Sequence, residues 1–124
     1  MPFEDIIYEE RNHTAYITIN RPEVYNAFRI HTCEELIQAF NQAGWNADIG
    51  AIVLSGTGDK AFCTGGDQSD RDGDYGGSRG LVGLPAEELQ SIIRDVPKPV
   101  IAMVRGYAIG GGNVLATSSA APRR

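Results

Sequence analysis

Three observations on the sequence predict an α/β layer fold. The first is an element order that reads strand, strand, helix, strand, loop, helix, strand, helix. The second is "TAYITIN" (residues 14–20), where Ala15, Ile17 and Ile19 alternate with Tyr16, Thr18 and Asn20, the period of a half-buried strand. The third is a pair of short continuous apolar runs: "AIVLS" (residues 51–55), suited to a sheet covered on both faces, and "VIAMV" (residues 100–104), a further buried strand.

Each element has its own signal. "DIIYEER" (residues 5–11) supplies the first strand. "RPEVYNAF" then interrupts the sheet, because Pro22 cannot donate to a ladder and fixes its own φ. A helix is expected to begin near Thr32, with Thr32 and Glu35 as a capping box. Leu36, Ile37, Phe40 and Ala43 form its apolar stripe, and Gly44 is its expected stop. "KAFCTGG" holds a further short strand, and residues 65–83, rich in Gly and Asp, read as a mobile loop. Pro85 at N1, with Glu87 and Glu88 behind it, opens a second helix. That helix buries Leu89, Ile92, Ile93 and Val96 and ends at "PKP". The run "IGGGNVLA" opens a third helix at Gly111.

Composition excludes several function classes. The chain has 124 residues, 42% of them hydrophobic and 22% charged, which suits one globular, soluble domain. A net charge of −5 argues against a nucleic-acid partner, which calls for a basic stripe. Cys33 and Cys63 form no C-x-x-C pair and read as reduced cytosolic thiols, so a cytoplasmic location is expected. The acidic start "MPFEDIIYEERNH" carries no signal-peptide pattern, and no run approaches a membrane span.

Candidate motifs thin out on inspection. "SGTGDKA" has dinucleotide-loop spacing, but "FCTGGDQ" follows where a helix is required, so it reads as a turn. "DRDGDY" starts like a calcium loop, yet Tyr75 stands where the turn glycine belongs and Leu81 where the bidentate glutamate belongs. No metal set is read. His13 and His31 lie in polar surroundings, read as surface residues, with no nucleophile elbow nearby. What remains are two glycine runs, "FCTGGDQ" and "GYAIGGGNVLA", each directly after a strand. Without Cβ atoms, backbone N–H groups there approach a ligand closely. At a helix start they also meet the positive end of the dipole. Two such donors aimed at one point stabilise an oxygen gaining negative charge, each worth about 3–4 kcal/mol in a transition state. Close helix–strand packing plus a turn is the alternative reading of the same glycines.

"KAFCTGGD", "PKPVIAMVRGYAIGGGN" and "NRPEVYNAF" together resemble the crotonase (enoyl-CoA hydratase/isomerase) superfamily, from about Phe3 to Thr117. The resemblance implies the ClpP/crotonase spiral of ββα units, of which this chain is expected to be a truncated N-terminal portion. Residues 1–117 would belong to the acyl-CoA domain, and 118–124 would be an atypical low-complexity tail. It further implies that the amides of Gly66 and Gly111 hold the thioester oxygen of an acyl-CoA as an enolate. Val24, Tyr25, Ala27 and Thr64 are expected along the coenzyme A moiety, largely through backbone atoms. Gly65, Asp67, Gln68 and Arg71 are expected beside the substrate, with a local cap as the other reading of Asp67. Asp74 and Tyr75 are the acid/base candidates, with exposed loop residues as the other reading. Coenzyme A belongs to the substrate, so no separate cofactor is expected; full-length members of the family form trimers or hexamers.

The subfamily is narrowed by Val114, which stands where hydratases carry one of two acid/base carboxylates. "GGDQ", "GDYGG" and "GGGNVLA" resemble 2-ketocyclohexanecarboxyl-CoA hydrolase, which opens a ring, and 1,4-dihydroxy-2-naphthoyl-CoA synthase, which closes one. "GGDQS", Asn113 and "GLPAEELQSIIRDVPKP" favour the hydrolase. Degradation of aromatic or alicyclic acids is the implied setting. Two alternatives stand beside it. One is a generic enoyl-CoA hydratase/isomerase. The other is a non-catalytic fragment that binds coenzyme A weakly or associates with a full-length relative.

Overall fold

The computed structural model describes residues 3–63 and 86–108. Strand β1 (Ile6–Arg11) and strand β2 (Thr14–Ile19) form an antiparallel hairpin in which Arg11 faces Thr14. Asn12 and His13 fill the two-residue turn with φ of 51° and 65°. Positive φ at both central positions is what a hairpin of type I′ demands, and it matches the twist of the strands. The expected alternation is present: Ala15, Ile17 and Ile19 are fully buried, while their neighbours are only partly covered. Burying each isoleucine contributes roughly 1.5–3 kcal/mol.

A 3-10 turn (Pro22–Val24) leads to α1 (Ile30–Gly44), which begins two residues before Thr32. The anticipated capping box therefore divides. Thr32 Oγ1 accepts the Arg29 N–H at 3.2 Å, closing the helix start. Glu35 instead reaches across to the N-terminal segment, where its two oxygens accept the N–H groups of Glu4 and Asp5, both at 2.8 Å. Asp5 answers with a bidentate pair to Arg29, both contacts at 2.8 Å, and accepts Thr32 Oγ1–H at 2.5 Å. Burial alone would raise the Asp5 pKa, but the bonds from Arg29 and Thr32 and the charges of Arg29 and Arg21 outweigh it and hold it below the usual carboxylate value.

Helix α1 buries Cys33, Leu36, Ala39, Phe40 and Ala43 against β1 and β2. Gly44 is its last residue, and tight packing there leaves no room for a side chain: a Cβ would lie 2.7 Å from Val96 Cγ1. Trp45 caps the helix and is 72% exposed. Lys98 Nζ donates to the carbonyls of Ala43, at 3.0 Å, and Asn46, satisfying acceptors at the carboxyl end of α1.

Strand β3 (Ala51–Gly56) runs parallel to β2, and β5 (Val100–Met103) runs parallel to β3, giving the order β1-β2-β3-β5. Between them come β4 (Ala61–Cys63) and α2 (Ala86–Asp95), which packs on α1 and buries Leu89 and Ile93. The short β6 (Tyr107–Ala108) pairs in parallel with β4 as a second sheet. Pro85, the loop of residues 65–83 and the helix expected from Gly111 lie outside the described residues.

The expectation for β5 needs correction. Val100 is buried, but Ile101 is 38% and Met103 41% exposed. Ile101 and Met103, two apart, share the face left open, and among the described residues β5 is also the edge of its sheet, bonded only to β3. Strand β3 is intermediate: Ile52 and Leu54 are fully buried, and Ala51, Val53 and Ser55 are half-buried.

Candidate functional site

Local chemistry builds a cleft where the turn after β2 meets the β3–β4 connection. Val24, Tyr25 and Ala27 form the turn. The Val24 N–H donates to the Arg21 carbonyl at 3.1 Å and the Tyr25 N–H to the Pro22 carbonyl at 3.1 Å. Tyr25 and Asn26 then both enter the left-handed region, with φ of 54° and 58°. Consecutive non-glycine residues in that region are uncommon, and such strain collects where a turn must present a particular surface.

Asn26 holds the strained turn in place. Its side chain is 1% exposed and fully engaged. Oδ1 accepts the Arg21 N–H at 2.9 Å, and Nδ2 donates to the carbonyls of Thr57 at 3.1 Å and Ala61 at 2.8 Å. One amide thus ties the turn to both ends of the β3–β4 connection. Gly56 makes room for this arrangement, since a Cβ there would lie 2.2 Å from the Phe62 carbonyl oxygen and 2.8 Å from Asn26 Nδ2. Arg21 Nη1 donates to the Ala27 carbonyl at 2.7 Å, closing the turn from the other side.

The resulting cleft measures about 280 Å³ and is lined by Pro22, Tyr25, Asn26, Thr57, the 58–60 turn and Ala61. That is room for a ring-sized group rather than a large ligand. Tyr25 is 49% exposed at its mouth, and the exposed Lys60 offers a positive charge beside it. Asp59, on the same turn, pairs at 3.4 Å with Arg105, both side chains well exposed. Of the three turn residues expected along a coenzyme, Tyr25 lines the cleft. Ala27 is buried, and its N–H and carbonyl are engaged by Val24 and Arg21. The "SGTGDKA" segment runs directly into β4 rather than into a helix, as its reading as a turn requires.

A second arrangement adjoins the cleft at Ala61. β4 and β6 run side by side, with Ala61 opposite Tyr107 and Cys63 opposite Ala108. The approach is close: Gly106 has φ of +72°, and a Cβ on it would lie 2.1 Å from the Lys60 carbonyl oxygen. Each strand leads into one of the two glycine runs. Gly66 and Gly111 each stand three residues beyond the paired Cys63 and Ala108. Gly66 and Gly111 themselves, with Thr64, Gly65, Asp67, Gln68, Arg71, Asp74 and Tyr75, lie outside the described residues.

Sequence reasoning passed over Asn26, Thr57, Asp59 and Lys60. Asn26 stood in plain view inside "YNAF", and asparagine is the residue type that tolerates left-handed φ while bonding back to nearby backbone.

The protein-family model for enoyl-CoA hydratase/isomerase matches residues 9–120. Among solved structures, an enoyl-CoA hydratase from Bacillus anthracis superposes with a TM-score of 0.86 at 29% identity, covering 94% of this chain and 46% of that one. An enoyl-CoA hydratase/isomerase from Xanthobacter autotrophicus Py2 gives 0.84 at 28%, covering 96% and 45%. The chain thus spans about half the length of these structures. With the α/β crotonase fold, the parallel run-up to both glycine segments and a family match over most of its length, this chain belongs to the enoyl-CoA hydratase/isomerase family.

Proposed function

We propose that this chain carries part of an acyl-CoA site in which a thioester enolate is stabilised by the backbone amides of Gly66 and Gly111. The observation that carries the reading is the parallel pairing of β4 with β6. Parallel neighbours lie about 4.8 Å apart and leave the sheet in the same direction. Equal three-residue offsets then favour convergence of the two amides on one oxygen. The cleft at Tyr25 and Lys60 suits the nucleotide end of coenzyme A, where an aromatic face and a cation meet a purine and phosphates.

The reaction we favour is hydrolytic ring opening of a 2-ketocyclohexanecarboxyl-CoA-like substrate. Hydroxide adds to the ring ketone, and the bond from that carbon to the α-carbon breaks. Its electron pair passes into the thioester as an enolate, and protonation of the α-carbon completes the step. This path needs the oxyanion amides but no carboxylate at Val114. Asp74, Tyr75 and Arg71 are the proton-handling candidates on this chain. The coverage of about 46% of a homologous hydratase favours a second reading, in which these 124 residues alone bind coenzyme A without turnover.

Melting followed by circular dichroism, with and without coenzyme A, tests the site. A cooperative transition raised by the ligand is the expected result; a transition that coenzyme A leaves in place removes the proposed binding cleft. Turnover of the ring ketone ester separates the two readings. Gly111→Pro, which deletes one amide donor, is expected to abolish it, and unchanged turnover would remove Gly111 from the oxyanion site.

A further inference from the structure

At the amino end of α1, His31 faces two carboxylates at once. Its Nε2 lies 3.0 Å from Glu4 Oε1 and 2.9 Å from Glu35 Oε2. One side-chain ligand atom from each of the three residues falls within 4.8 Å of the others. An imidazole nitrogen has one in-plane position, which holds one proton or one lone pair. Nε2 therefore offers the two acceptors one hydrogen at most. At most one positive charge then faces two negative ones. The nearby Asp5 is already matched by Arg29. The helix start adds only about half a positive charge.

We propose that Glu4, His31 and Glu35 form a binding site for a zinc-class divalent cation. A cation at Nε2 replaces the contested hydrogen and serves all three ligands together. Bond lengths of about 2.0–2.2 Å place ligand atoms on one tetrahedral zinc roughly 3.3 Å apart, so the two separations at Nε2 need only a small opening, and the exposed Glu4 carboxylate can take up the rest. The site is built unevenly, in a way that permits it. Glu35 is 7% exposed and held by two backbone N–H groups, His31 lies one helical turn away on the same face, and the 74% exposed Glu4 is free to adjust. An imidazole with two carboxylates favours zinc or cobalt over magnesium or calcium, which prefer oxygen alone. Three protein ligands leave a fourth position to water. Because Glu4 precedes β1 and the other two ride on α1, the ion clips the N-terminal segment to the helix. The inference stands independently of the acyl-CoA reading.

Calorimetric titration of the untagged chain with Zn²⁺, with Co²⁺ absorption as a second probe, provides the test. One equivalent should bind, and Zn²⁺ should raise the melting temperature. Glu4→Gln, whose exposed side chain leaves the fold intact, and His31→Gln should each weaken binding at least ~10-fold, as expected for loss of one ligand from a small site. No binding by the wild-type chain overturns the proposal. So does equal binding by both variants, which places the ion elsewhere.

Discussion

Asn26 shows how one side chain governs a surface it barely reaches. It is buried, holds three backbone groups through one amide, and itself sits in left-handed backbone. Asn26→Ala leaves the Arg21 N–H and the Thr57 and Ala61 carbonyls without that partner. We expect a loss of about 2–4 kcal/mol, read as a lower denaturant midpoint at unchanged slope. Asn26→Asp keeps the acceptor but sets a buried carboxylate oxygen against the Thr57 and Ala61 carbonyls, and should cost at least as much at neutral pH. The turn itself was legible as an interruption at Pro22. The amide's role was not, because its partners Thr57 and Ala61 are more than thirty residues away and no local periodicity marks them. His31 teaches the same lesson. Its spacing to Glu35 was visible on the helix, whereas Glu4 joins only through the fold.

At the scale of elements, periodicity located the strands and helices well and their edges less so. The alternation of β2 and the stripes of α1 and α2 come from burying one face, and that is what sequence period records. The start of α1 was misplaced because the Thr–Glu pair was assigned to one cap. Thr32 closes the helix while Glu35 serves the N-terminal strap. The apolar run of β5 could not reveal that β3 is its one neighbour among the described residues. Contact between helices makes a sharper prediction. Gly44→Ala gains up to about 1 kcal/mol of helix propensity. It also drives a methyl to 2.7 Å from Val96 Cγ1, and overpacking of that kind costs about 1–3 kcal/mol. Net destabilisation by thermal melting is expected, with recovery when Val96→Ala opens the space.

Across the whole molecule, Asp5 in the N-terminal segment ties stability to pH on the acid side. The folded state holds the Asp5 pKa below the ordinary aspartate value, so the unfolded chain binds that proton more readily. The stabilisation is complete above the unfolded value and drains away as pH falls through it toward the folded one. Asp5→Asn should therefore flatten the acid limb of stability against pH, measured in chelator-treated buffer. A limb as steep as the wild type's would assign acid sensitivity to other carboxylates. The family and fold were legible from three motifs spread over most of the chain, since glycine runs and the Asn-Arg-Pro turn mark backbone requirements rather than interchangeable surface.

The chain's single tryptophan has a practical consequence for every such measurement. Trp45, 72% exposed at the end of α1, already meets water in the native protein. Its emission should be red-shifted at the outset and change little on denaturation. A flat fluorescence trace would therefore describe where one indole sits, while the sheet beneath it came apart unseen.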